Sequence, residues 1–191
     1  MIPSLRETLL ALHGLREFAR TGAPALQWFD RSMAGFWRSF GVSVLVLPPY
    51  AALLATQLAA PPDSDGWIRL IVAEGSAYVL MWVAFPLALY YIARGIGRTA
   101  EYVDFVIVNN WMAIVVTVLG LAAALIRVSG LVPDALSTLI GVVITIGLLS
   151  FEWFVACQAL RIERLAAVGV VFLDFIITFV IQFAVSALTG Q

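Results

Sequence analysis

The chain has 191 residues, 62% of them hydrophobic and 12% charged, with a mean hydropathy of +1.00 and a formal net charge of −1 at pH 7. Soluble domains average roughly 45–50% apolar and about 25% charged residues, so this composition argues against a water-soluble globular fold. A near-neutral charge with no basic cluster removes nucleic acid as an expected partner.

Residues 1–40 read as a cytoplasmic amphipathic region. Ser4 and Glu7 have the spacing of a capping box, and Leu5, Leu9 and Leu12 share one face of the helix that would follow. Thr21-Gly22-Ala23-Pro24 interrupts that helix, and Pro24 suits the first turn of a second one. The second helix is expected from Pro24 to Phe40. Phe29, Met33, Phe36, Trp37 and Phe40 lie on one face with Leu26; Gln27, Arg31 and Arg38 lie opposite. Such a helix lies in the membrane interface or packs beneath a bundle. The basic, apolar and small-residue order of a signal peptide is not present, so none is expected.

Residues 41–188 read as a bundle of five transmembrane helices, with spans near 41–60, 67–93, 105–126, 135–160 and 165–188. Each is close to or above the ~20 apolar residues that cross a bilayer core. The ~10-residue alternating segments of a membrane barrel do not occur. Pro48, Pro49 and Pro86 should kink or break their helices. Short connections, including Pro61–Gly66, are expected to make consecutive spans antiparallel neighbours. The fold class is therefore an all-α membrane protein, with amphipathic interfacial helices preceding five spans.

Charge at membrane depth costs roughly 2.5–3.5 kcal/mol on insertion scales, so polar residues inside the spans need a reason. In span five, Asp174, Thr178, Gln182 and Ser186 recur every four residues and form one stripe. Phe175, Phe179 and Phe183 form a parallel aromatic stripe that can face lipid. Span four places Thr138, Gly141, Thr145, Glu152 and Ala156 on one face. Span three carries Asn109 and Asn110, with Ala113, Thr117, Gly120 and Ala124 following Asn109; small residues there would permit close backbone approach. Glu74 lies near the outer end of span two.

Enzymatic chemistry finds little support. The one histidine, His13, lies outside the bundle, which removes intramembrane Ser–His catalysis and an HExxH zinc site. Asp174 lacks a GxGD context, and no Gly-rich phosphate loop is present. No catalytic residue, metal or cofactor is expected. The single Cys157 reads as a small core residue.

The layout resembles the Yip (Ypt-interacting protein) family: a cytoplasmic N-terminal segment, five spans, an outside C-terminus and almost no tail. The inner turns RGIGRTAEYVDF (Arg94 to Phe105) and RIERLAAV (Arg161 to Val168) look like those of bacterial members. The resemblance covers about Phe36 to Leu188 and implies a five-span cell-membrane protein. The DLYGP-type segment of eukaryotic members is absent, so no GTPase partner is carried over.

The expected role is non-enzymatic: a scaffold or partner-binding subunit in the bilayer, with a protein partner or a second copy bound. The alternative is a small transporter or channel component with a polar path through Asp174 and Glu152. A closed, dry bundle with an exposed groove would favour the first, and an open polar vestibule reaching Asp174 the second.

Orientation follows from arginine, since all eleven basic residues are Arg. Arg6, Arg16, Arg20, Arg31, Arg38, Arg94, Arg98, Arg161 and Arg164 fall on one side of five alternating spans; only Arg69 and Arg127 fall on the other. The positive-inside rule puts the N-terminus in the cytoplasm, most simply of a bacterial inner membrane, and the C-terminus outside. Reporter fusions after Gly66, Ile96, Gly130 and Gln191 should read out, in, out, out; a cytoplasmic C-terminus would overturn the count of spans.

Overall fold

Segments apolar on every side must satisfy their own backbone hydrogen bonds in lipid, and helices do so within one segment. The computed structural model describes residues 3–58 and 64–189. It is 87% helical, and the described residues contain no strand. The helices are α1 (Leu5–Thr21), α2 (Met33–Ser39), α3 (Val42–Ala55), α4 (Ser64–Gly95), α5 (Thr99–Ser129), α6 (Asp134–Ala159) and α7 (Arg164–Thr189), with a 3₁₀ turn over Ala23–Trp28. Five stretches are long and apolar enough to cross a membrane: α2 with α3, then α4 to α7. The expected turn at Pro61–Gly66 lies partly outside the described residues, and α4 begins at Ser64.

The helix ends follow local chemistry. The Ser4 hydroxyl accepts from the Glu7 backbone N–H at 3.2 Å and starts α1. Ser32 does the same for Gly35 at 3.1 Å and starts α2. Gly130, at φ +63°, closes α5 in the left-handed conformation that favours glycine. Alone, α3 is 14 residues, about 21 Å, too short for a ~30 Å core. Bonds from Gly41 to Arg38 and from Ser43 to Phe40 tighten the α2–α3 joint into a near-continuous rod, which makes up the length.

The N-terminal region departs from expectation. The helix expected over Pro24–Phe40 is broken at Phe29–Ser32. The Asp30 carboxylate accepts from the Ser32 N–H at 3.0 Å and pairs with Arg38. Ser32's hydroxyl and N–H, aided by Arg38, hold Asp30 below the ordinary carboxylate range. A depressed carboxylate stabilises the fold above its usual titration range, and that contribution is lost as pH falls into the acid region. A Cβ on Gly35 would sit 2.0 Å from the Asp30 carbonyl oxygen, so only glycine permits this close turn. The expected face Phe29, Met33, Phe36, Trp37, Phe40 is split accordingly. Phe29 and Phe36 are buried, Phe40 is half-buried, and Met33 and Trp37 are exposed. On α1 the inward face is Ala11, Gly14, Leu15 and Phe18, whereas Leu5 and Leu9 point outward.

This region seats itself on α5, which packs against α1, α2, α3, α4 and α6. Phe18 is fully buried and meets the Phe154 ring of α6 edge-on at 6.0 Å. Arg31, expected on the aqueous side, instead reaches across to Asp104 of α5 with two hydrogen bonds, 2.6 Å from Nε and 2.5 Å from an Nη. The bonds to Asp104 raise the Arg31 pKa further above its ordinary value. A second departure concerns neighbours. Helices α5 and α6, and α6 and α7, pack as consecutive pairs, but α3 packs chiefly on α5 rather than on α4, and α4 packs chiefly on α7.

Packing is uneven along the bundle. The close-packed core gathers at the end that carries the N-terminus: Leu89 and Ala93 of α4, Phe105–Val108 of α5, Val155, Ala156 and Ala159 of α6 with Leu160 just after it, and Ala167 of α7. Toward the other end the described core shrinks to Ala73, Ala77 and Val185.

Asp104 is 6% exposed and Arg31 47%. Removing the buried carboxylate's partner should cost more than neutralising the carboxylate, since freed arginine can turn to water. Arg31→Ala should lose about 1–3 kcal/mol, below the ~3–5 kcal/mol of a fully buried pair, and Asp104→Asn less. Thermal unfolding in detergent, with proteolysis of the N-terminal region as second readout, checks the order.

Candidate functional site

Where the core thins, the inward faces of the spans enclose a cavity of about 870 Å³. Val46, Tyr50 and Leu53 of α3 form one wall, and Tyr78, Trp82 and Phe85 of α4 the next. From α5 come Asn109, Asn110, Ala113, Thr117 and Gly120; from α6 come Thr138, Gly141, Thr145 and Glu152. Asp174 and Thr178 of α7 complete it.

The small residues on α5 suggested tight helix contacts, and the structure uses Gly120, like Gly141 of α6, differently. A Cβ placed on Gly141 would meet no atom within 4 Å, and one on Gly120 only Leu53 Cδ2 at 3.9 Å. Small side chains here leave volume rather than close it.

The polar residues fall into two groups. In the first, Asn109, Glu152, Asp174 and Thr178 face the cavity. Counting ~1.5 Å per residue from the short turns beside α6 puts Asn109, Glu152 and Asp174 within about two helical turns in depth. Glu152 is only 6% exposed, and its Oε1 has no hydrogen-bond partner. Asp174 is half-buried and in no ion pair among the described residues. Arg127 is the basic lining residue, exposed at the far end of α5.

The second group is satisfied and structural. Asn110 donates to Ser39 Oγ at 2.8 Å, and Ser39 donates to the Phe36 carbonyl at 2.7 Å, which pins α5 to α2. Glu74 and Gln182 do not line the cavity. Glu74 accepts from the Tyr50 hydroxyl at 3.1 Å. Tyr78 stands beside it, ring centroids 5.0 Å apart, and donates to the Ser43 carbonyl. These contacts tie α3 to α4 along one flank of the cavity.

Sequence reading found the carboxylates, the asparagines and the small faces. It missed the aromatic wall on α4, although Tyr78 and Trp82 stand four residues apart, the spacing of one helical face. Among the described residues no group of three or more His, Cys, Asp or Glu side chains could hold a metal ion. No protein-family model, curated protein or solved structure matches the chain.

The arrangement offers volume, two carboxylates and aromatic faces, and its volume falls in the ~300–1,000 Å³ range of ligand sites. The two polar groups should respond differently to substitution. Asn110→Leu strands the Ser39 hydroxyl and should cost about 1–3 kcal/mol. Glu152→Leu removes a group with no partner at Oε1 and should be neutral or stabilising, as at functional positions kept against stability. Paired melting curves of the two variants check this; equal losses would make Glu152 structural.

Proposed function

We propose that this is a non-enzymatic integral membrane protein that takes a small solute into its intramembrane cavity, as a small transporter or the solute-binding subunit of one. The observation that carries this reading is the cavity reaching both Glu152 and Asp174, one of them unpartnered. Intramembrane carboxylates are costly, and solute or proton pathways are a common reason for keeping them. With the N-terminus in the cytoplasm of a bacterial inner membrane, as the arginine asymmetry suggests, the close-packed end faces inward and the Arg127 end outward. The solute would then arrive from outside, over a base closed by α1, α2 and the 3₁₀ turn. Leu5, Leu9, Met33 and Trp37, apolar yet exposed on that base, suit the inner membrane interface.

A scaffold or partner-binding role is the second reading, and one feature favours it. Phe175, Phe179 and Phe183 are exposed on α7 and stack at successive centroid distances of 6.4 Å. A protein partner or a second copy could lie against this ladder, as could lipid. The Yip-like layout is compatible with both readings and names no solute.

Cysteine accessibility tests the solute-binding reading. In a Cys157→Ala background, Thr145→Cys on the cavity wall should react with an impermeant methanethiosulfonate added outside. Val143→Cys, exposed on the same helix but off the cavity, should not, because the reactive thiolate needs water. Gly141→Trp should fill the open space and suppress labelling without loss of folding. Equal labelling at both positions, or none at either, overturns the proposal.

A further inference from the structure

We infer that the cavity is built for an organic cation with an apolar body, a lipophilic amine or onium ion, held at the Glu152–Asp174 end. This rests on the solute-binding reading above and names the solute's chemical class. Three independent observations carry it. First, Glu152 is buried to 94% by its 6% exposure, lines the cavity, and has Oε1 without a partner in the protein. When ionised, a carboxylate oxygen can only accept, so the group that would complete the ionised form is a donor or a cation.

Second, the described residues supply no compensating charge at that end. Asp174 lines the same cavity, and neither carboxylate takes part in an ion pair among the described residues. Arg127 stands 17 residues beyond Asn110 on α5, about 26 Å along the helix, so it cannot serve that end. With no base among the described residues at that end, a bound cation is the group that would hold either acid ionised in a low-dielectric cavity, and its charge would be repaid there.

Third, one wall of the cavity is aromatic. Tyr78, Trp82 and Phe85 line the cavity from α4, with the Tyr78 and Trp82 rings 6.3 Å apart. Indole, phenol and phenyl faces attract cations through their quadrupoles and pack against hydrocarbon as well. Asn109 and Thr178 add neutral hydrogen-bonding groups nearby. A metal ion or an inorganic cation would leave most of an 870 Å³, largely apolar space unfilled; a bulky cation fills it.

The test uses two ions of one shape and opposite charge, tetraphenylphosphonium and tetraphenylborate, with the full chain in lipid nanodiscs. Tetraphenylphosphonium should bind saturably, and tetraphenylborate should only partition without saturation. Glu152→Gln and Asp174→Asn should each weaken the cation about tenfold or more, and Gly141→Trp should block it. If Glu152→Gln fails to give a monodisperse protein, Asp174→Asn and the wild-type comparison of the two ions still decide. Saturable binding of the anion as tight as the cation, or cation binding unchanged in both carboxylate variants while Gly141→Trp abolishes it, overturns the charge selectivity but leaves the cavity reading standing. If neither ion saturates and the cysteine at position 145 stays unlabelled, both readings fall.

Discussion

Lipid gives two helices no hydrophobic reason to meet, so a membrane bundle depends on whatever packing its polar and irregular parts can impose. Here that role falls to the first half of α5. Tyr102 and the run from Asp104 to Val108 are all buried, as are Asn110, Trp111 and Met112. Around this stretch gather the N-terminal helices, α3, α4 and α6. The ion pair of Arg31 with Asp104 and the bond of Asn110 to Ser39 lie on the same stretch and fix the N-terminal region to it. Tyr102 adds a third tie, donating to the Pro86 carbonyl of α4 at 3.0 Å. The bundle is therefore organised from one end, and the other end is free to remain open.

That asymmetry connects fold to site. Only 11–22% of the most apolar stretch of each span is buried, too little for a bundle packed throughout its depth. The cavity occupies the region that the core leaves, and the Tyr50–Glu74 bond beside the Tyr78 ring bounds it on one flank. The carboxylates lie at the depth where the packed half gives way to the open half, which buries Glu152 and leaves Asp174 half-buried.

How much of this is legible in the sequence depends on the range of the interaction. The span boundaries are set by runs of apolar side chains and by local caps, and the last two spans fall within a residue or two of the positions read from sequence. The stripe from Asp174 to Thr178 was equally readable, because helical geometry alone puts the two on one flank. The pairing of Arg31 with Asp104 joins residues 73 apart in the chain, and nothing local marks either as the other's partner. The break after Trp28 was hidden by a continuing helical periodicity that the Asp30 turn overrides. The meaning of Gly120 and Gly141 was open for a different reason. A small residue either admits a neighbour or leaves a hollow, and only the placement of the surrounding helices decides which.

A bundle fastened at one end behaves mechanically as a set of cantilevers. Helices α6 and α7 have 26 residues each, about 39 Å of rod, with their firmest contacts where they join near Leu160 and Ala167. Angular play at such a root is magnified with distance, so a few degrees there would move the far ends by about 2–3 Å. The mouth of the cavity would then widen or narrow while its base stays still. Thr138 and Gly141 lie near the far end of α6, whereas Glu152 sits close to the root. Compliance would then be graded along a single helix: the part that would admit a guest would be the part that gives, and the part that would hold its charge the part that does not.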